Sequence, residues 1–301
     1  MGQSVYSPSE ALRPFIRSFT IEEKTESAIY KVLPGTTTVM GFQFRGALSI
    51  VTPAPKTPNP QLLTMANSPQ LKFSSEPISF TPPDAASTPP APDTPRNALD
   101  TPLTPSGITG LSDSFRFFRN SPGTGTLLVH FTETGAAHFF TTPIHLLFNG
   151  SYSLGDLIPA SETSHLEEQL TAAADNAARI AVIEHWLIKR LRHQKKDLQI
   201  EAAIARIYAA KGQLRIAALG QELYISPSRL EKRFRALVGT TPKKFAGLVR
   251  LQAIVNATPL DGDLTSLAYE AGYFDQAHFI HDFTAYTGLT PADFFRNHPT
   301  R

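Results

Sequence analysis

The last hundred residues of the chain repeat themselves, and that repeat constrains the fold more than any other feature. A shift of 49 residues pairs Ser226 with Asp275, Leu230 with Phe279, Phe234 with Phe283, Gly239 with Gly288, Thr241 with Thr290, Pro242 with Pro291 and Phe245 with Phe294. Each copy has the same physics. A Ser or Asp can accept the first free backbone N–H groups of a helix, and apolar residues four and eight positions later share one helical face. A glycine then permits a left-handed stop, and a proline opens the next helix. A short helix precedes each copy, Ile216 to Leu223 and Leu264 to Ala271, with the small residues Gly220 and Ala268 at matching positions where two helices cross closely. Short helix, tight turn and capped second helix make a helix-turn-helix unit, present twice.

A helical hairpin used only for packing shares this pattern, and two features weigh against it. With Leu230 inward and 100° per residue, Phe234 and Leu237 share its face, while Ser228, Lys232 and Arg235 point away, flanked by Arg229 and Glu231. Charge is the second feature. Lys211 to Arg250 holds nine Lys or Arg against Glu222 and Glu231. A solvated helix face mixes both signs, whereas a one-sided stripe suits phosphates. The whole chain carries only +2, so the distribution says more than the total.

The remaining sequence reads as a second domain of different texture. A short helix is expected near Pro8 to Phe19, then strands at Ile29 to Val32 and Val39 to Phe44 around a Pro34-Gly35 turn. Thr52 to Pro105 holds fourteen of the 25 prolines and few aromatics, so it reads as an extended, disordered insertion. The alternative is a set of edge strands around Leu71 to Phe80. Order resumes near Ile108, Gly125 to Phe131 is a strand, and a turn follows at Thr134-Gly135. Helix runs from about Glu162 to Arg192 with a break near Asp175, its stripe supplied by Leu166, Leu170, Ile180, Ile183, Leu187 and Leu191. Residues 192–197, RHQKKD, form a basic hinge.

Several chemistries are excluded or weakly supported. With no cysteine there is no disulfide framework, thiolate metal site or cysteine nucleophile. His130, His138 and His145 lie close in sequence, but no carboxylate accompanies them at recognisable spacing, so solvated or core histidines are the expectation and no metal is assigned. Gly123-Thr124-Gly125 lacks the Lys-Ser/Thr of a phosphate loop and reads as a strand-opening turn. No serine elbow, paired-carboxylate or dinucleotide pattern appears, so no catalytic residue and no cofactor is expected. No run approaches the roughly 20 apolar residues of a membrane span, and the start MGQSVYSPSE has neither the basic run nor the apolar core of a signal peptide, so a cytoplasmic location is expected.

The run GQLRIAALGQELYISPSRLEKRFRALVGTTPKKF, with GYFDQAHFIHDFTAYTGLTPADFF after it, resembles the DNA-binding domain of bacterial AraC/XylS-type transcription regulators over about Leu198 to Pro299. The resemblance implies seven helices, with the two helix-turn-helix units joined by a long helix from Pro242 to about Ala257. Residues 1–50 and 106–191 look more faintly like the N-terminal domain of one branch of that family, from which the proline-rich insertion departs. Carried over by position, the family places Ser228, Glu231 and Lys232 of the first unit and Gln276, Ala277 and His281 of the second in the major groove. Gln276 suits adenine, Lys232 guanine, and Glu231 can accept from cytosine. Arg229, Arg233, Arg235 and Lys243 are the expected phosphate contacts. One departure stands out. Relatives often have arginine where this chain has His281 and a small hydroxyl where it has Ala277, and residues 251–301 hold two Arg against six Asp or Glu, so the second reader is chemically poor.

The expectation is therefore an α+β chain: a β-rich N-terminal domain carrying helices (1–191), the hinge 192–197, and an all-helical DNA-binding domain (198–301). Its implied partners are promoter DNA, RNA polymerase and a small-molecule effector, with the N-terminal domain sensing the effector, forming a homodimer, or both. Activation and repression stay open. The competing class fuses this DNA-binding domain to an enzyme or interaction scaffold. Ada-type repair proteins do so, but their chemistry needs cysteine.

Overall fold

The computed structural model describes residues 2–53, 98–192, 195–256 and 264–297. A six-stranded antiparallel sheet is built from β1 (Gly2–Tyr6), β2 (Ile16–Lys24), β4 (Val39–Arg45), β7 (Ser106–Thr109), β9 (Thr124–Phe131) and β10 (Ser151–Ser153), in the order β1-β2-β9-β4-β7-β10. A second sheet of four, β3 (Ala28–Val32), β8 (Arg116–Asn120), β5 (Leu48–Pro53) and β6 (Ala98–Pro102), runs in the order β3-β8-β5-β6.

The period-two rule of strands assigns each face of the larger sheet a job. Phe19 and Ile21, Met40 and Phe42, and Leu127, Val129 and Phe131 point one way and are buried with α1 (Ala160–Ala172) and α2 (Asn176–Arg190). Their neighbours Glu22, Gly41, Gln43, Thr126 and Leu128 face the other way, into a cleft shared with the second sheet. The two helices are separated where expected, because Asp175 caps α2 by accepting from the Ala178 N–H at 2.8 Å. Leu166, Leu170, Ile183 and Leu187 are the buried stripe, with Ile180 and Leu191 half-buried against it.

Two expectations fail here. The helix near Pro8 to Phe19 is absent: residues 10–15 form a turn and Ile16 already opens β2. Pro14 disfavours helical geometry at Arg13, and Ile16, Phe19 and Ile21 gain more from the sheet core than a helix of that length offers. The insertion is also shorter than expected, since its ends are strands in register, with Pro53 opposite Ala98 and Val51, which is buried, opposite Asp100. Pro102 is tolerated because β6 is an edge strand with one side free of the ladder. The middle of the insertion, including the alternative strands around Leu71 to Phe80, lies outside the described residues.

Among the described residues seven helices follow: α3 (Leu198–Ala209), α4 (Ile216–Glu222), α5 (Pro227–Val238), α6 (Pro242–Val255), α7 (Leu264–Glu270), α8 (Gln276–Thr287) and α9 (Pro291–Asn297). They enclose two cores. Leu230, Phe234, Val238 and Phe245 centre the first, while Phe279, Phe283 and Phe294 centre the second with Leu251 and Ile254 from α6. The architecture is the expected one, a β-rich region carrying helices followed by an all-helical region. Neither helical core closes on its own residues, however. Leu111 and Phe148 complete the first, and Leu33 packs against the second.

Candidate nucleic-acid interface

The two repeat units fold alike because their buried residues are alike. In the first, α4 and α5 cross where Gly220 sits, and a Cβ on Gly220 would come within 3.0 Å of the Ile225 carbonyl. In the second, Ala268 holds the same place, and the Tyr273 N–H donates to the Ala268 carbonyl as Ile225 N–H donates to Gly220. The caps differ. Asp275 accepts from the His278 N–H at 2.7 Å, whereas Ser226 makes no side-chain cap and α5 opens instead on Pro227, whose missing N–H needs no partner. The expectation of a side-chain cap at both starts therefore holds only for the second unit.

Each glycine that ends a reader helix has a second duty. Gly239 (φ 97°) and Gly288 (φ 74°) both take the left-handed conformation that closes the helix. A Cβ on Gly239 would meet Ile144 at 3.0 Å, and one on Gly288 would meet the Phe115 ring at 2.5 Å. The C-terminal ends of α5 and α8 are thus seated on the β-rich region, which leaves their N-terminal halves facing outward.

Those halves carry the expected readers. Ser228, Glu231 and Lys232 on α5, and Gln276, Ala277 and His281 on α8, are all exposed. Arg229 and Lys243 are exposed and enter no ion pair among the described residues. Arg235 is exposed with its guanidinium 3.9 Å from Glu231. Arg233 is placed differently from a free phosphate ligand. Its Nε donates to Asp197 Oδ2 at 2.8 Å, its Nη2 to Asp197 Oδ1, and its Nη1 to Gln199 Oε1 at 2.7 Å, so the fork ties α5 to the start of α3. The sequence could not show this, because the acid that claims Arg233 lies in the hinge, 36 residues away. Lys244, absent from the expected set, pairs with Asp113 at 2.6 Å over the Phe148 ring.

The second reader is acidic as well as poor in cations. His278 Nε2 and His281 Nδ1 lie 3.4 and 3.5 Å from the Asp282 carboxylate, which therefore sits beside the expected readers of α8. Thr284, one turn further along α8, is half-buried with its hydroxyl oxygen enclosed. The units are held together around α6. Arg250 lies over the Tyr273 ring, 5.2 Å from its centroid, while its Nη2 donates to the Gly212 carbonyl at 3.0 Å. Burial, with the Asp282 charge nearby, pushes the Tyr273 hydroxyl up to about 12, so it stays neutral beneath that guanidinium.

The three histidines of the β-rich region occupy separate settings. His130 lies in a cleft between the larger sheet and α6, 3.0 Å from the Thr20 hydroxyl. His138 packs in a tilted pair with Phe15, ring centroids 4.6 Å apart, and His145 belongs to the 3-10 turn Ile144–Leu147. Gly123 (φ 72°) opens β9 as the strand turn expected there.

Residues 219–297 match the model of a helix-turn-helix domain family. They form an AraC-type helix-turn-helix domain. The domain is of the DNA-binding kind that acts in transcription regulation. The match begins inside α4 and ends with α9, so the AraC-type domain spans both units and α6 between them. Among solved structures the chain is similar to ToxT from Vibrio cholerae. An apo form of that protein carrying one lysine-to-alanine substitution is 11% identical, with 92% of this chain and 97% of that one covered and a TM-score of 0.42. A second ToxT crystal form is 10% identical over 99% of both chains, with a TM-score of 0.41. Wild-type ToxT bound to an unsaturated fatty acid is 11% identical over 92% and 94%, with a TM-score of 0.39. No protein of curated function matches the sequence. No helix among the described residues is long and apolar enough to cross a membrane.

Proposed function

We propose that the chain binds promoter DNA in two successive major grooves, one per helix-turn-helix unit, and recruits or blocks RNA polymerase there under the control of a small molecule. The observation that carries the reading is the pair of exposed N-terminal halves of α5 and α8, held by one buried helix and by the same β-rich platform. In this reading residues 198–301 are the DNA-binding domain, 192–197 the hinge and 1–191 the sensory and dimerisation domain. Ser228, Glu231, Lys232, Gln276, Ala277 and His281 read bases. Arg229, Arg235 and Lys243 hold phosphates, while Arg233 serves the fold.

The effector is expected between the sheets. A cavity of about 100 Å³ there is lined by Glu22, Gln43, Thr126 and Tyr152 with Val32 and Phe118. One strand connects it to the second reader. Tyr30 and Val32 of β3 line the cavity, and Lys31 between them points the other way, where its Nζ donates to the Thr287 carbonyl at the end of α8 at 3.2 Å. A ligand that shifts β3 therefore has a direct mechanical route to α8.

The test is selection of duplexes from a randomised pool by the full-length protein, followed by anisotropy titration at several salt concentrations. A preferred site of roughly 20 base pairs with a steep salt dependence is expected, since two units on one face of the duplex span about two helical turns. Equal affinity for selected and random duplexes would refute the reading.

A further inference from the structure

The two repeat units are not the same length. In the first, the left-handed residue Tyr224 (φ 52°) is followed by buried Ile225 and then directly by Ser226, which opens α5. In the second, the left-handed Gly272 (φ 74°) is followed by buried Tyr273, then by Phe274, and only then by the cap Asp275. Gly220 and Ile225 thus pair with Ala268 and Tyr273 at an offset of 48, whereas everything from the caps onward pairs at 49. Phe274 is the extra residue. It is 90% exposed, while its predecessor Tyr273 is 7% exposed and locked by Phe279, His278 and the Arg250 guanidinium.

That lock fixes where the ring goes. Tyr273 fills the pocket that Ile225 fills in the first unit, and Asp275 is held by its bond to the His278 N–H, so Phe274 between them is left pointing to solvent. It stands at the N-terminal end of α8, next to the exposed Gln276 and Ala277, in line with the half of the helix that faces DNA. An unpartnered phenyl ring is costly in water and gains by meeting an apolar surface. The major groove offers one such surface, the C5-methyl group of thymine. The second reader otherwise has little to read with: Ala277 has no polar atom, and His278 and His281 lie against Asp282.

We propose that Phe274 is a base-reading residue that packs on a thymine methyl at the edge of the half-site bound by the second unit. The proposal rests on the DNA-binding reading above. It changes the character of the second reader, which selects partly by apolar contact where the first selects by hydrogen bonds and charge.

The test starts from the duplex that the full-length wild type selects from a randomised pool. Each thymine of the second half-site is replaced in turn by deoxyuracil, which removes only the methyl group, and binding is measured for wild type, Phe274→Ala and Phe274→Leu. One deoxyuracil position is expected to weaken wild-type binding about three- to fivefold, the effect of uncovering one methyl-sized group. For Phe274→Ala the same replacement should be silent, and Phe274→Leu should keep most of the discrimination. The ring makes no buried contact, so both variants should melt with the wild type. Equal deoxyuracil penalties in wild type and Phe274→Ala would overturn the proposal and leave the regulator reading intact. So would loss of transcriptional activity without loss of DNA discrimination, which assigns the ring to a protein partner. Selection that recovers no preferred duplex at all refutes the regulator reading and this proposal with it.

Discussion

Replacing Arg233 with alanine separates two roles that the sequence alone confuses, a phosphate ligand and a tie between helices. The guanidinium makes three hydrogen bonds to Asp197 and Gln199, two of them to one carboxylate, with side-chain exposures of 30% for Arg233 and 18% for Asp197. A hydrogen bond to a charged group contributes about 1.5 to 3 kcal/mol, and a fully exposed pair about 0 to 1. Partial exposure puts this tie between those limits, at about 2 kcal/mol, because the variant also strands a largely covered carboxylate. Asp197 keeps one partner, the Ile200 N–H at 3.2 Å, which limits the loss. For a cooperative unit of about 100 to 200 residues, about 2 kcal/mol lowers the melting temperature by roughly 5 to 10 °C. Arg233→Ala and Asp197→Asn should both show this shift in the thermal transition of the full-length protein followed by circular dichroism. At about 25 °C, where both variants remain folded, the dependence of DNA affinity on salt should match the wild type, since no phosphate contact is lost. An unshifted melting temperature together with a salt slope reduced by about 0.9 would show that Arg233 neutralises a phosphate and would refute the tie.

Lys232→Ala should cost about 1 to 3 kcal/mol of DNA affinity and relax preference at one base pair, while His281→Ala should cost less, because the imidazole faces Asp282. His281→Arg should tighten binding and steepen its salt dependence; anisotropy on the selected duplex measures all three, and a greater loss from His281→Ala than from Lys232→Ala would reverse the ranking of the two readers. Burial, aided by the nearby Arg17 charge, lowers the pKa of His130 to about 4 from its usual 6.5. The unfolded chain therefore binds a proton that the folded chain does not between those values, so stability should fall as pH drops from 6.5 to about 4, by about 3 kcal/mol from this one group. His130→Gln should flatten that part of a urea-midpoint profile, and an unchanged slope would show that His130 is not the source. The isolated segment 195–301 should fold, because α3 and both units are inside it, yet melt below the full chain because it lacks the Leu111, Phe148 and Leu33 side chains that finish its cores; calorimetry of both proteins decides this.

The all-helical region was legible because its signals are local. Pro227 and Pro242 open helices and Gly239 and Gly288 close them. Leu230, Phe234, Phe279 and Phe283 mark faces four residues apart, so spacing alone located the second helix of each unit. Phe274 was hidden by the same alignment that revealed the repeat, since a 49-residue shift fits the caps and conceals the 48-residue offset of the turns before them. Local propensity failed where long-range pairing decides. Residues 16–24 form a strand because β9 lies beside them, with Ile21 opposite Leu127 and Phe19 opposite Val129, partners more than a hundred residues away. The ends of the insertion read as loop because proline dominates the composition there, although β5 and β6 need only five residues each to pair.

Least legible were the contacts between the two regions, and they bear most directly on how a sensor could act on a reader. Seven repeated positions single out Gly239 and Gly288 as helix stops, and helix geometry accounts fully for a glycine at each. Nothing in the repeat reveals that each is also a seat, one on Ile144 and one on Phe115. Phe115 is in turn bracketed by Lys31, whose ammonium lies 4.7 Å from its ring centroid and also bonds the Thr287 carbonyl. The seat of the second unit is therefore built from the strand that walls the inter-sheet cavity, whereas Ile144, beneath the first unit, belongs to a 3-10 turn that does not line it. A shift of β3 would tilt α8 and leave α5 where it is. If the proposed DNA-binding reading holds, control exerted through this cavity should thus alter the half-site assigned to the second unit, whose helix carries fewer cations, before it alters the first.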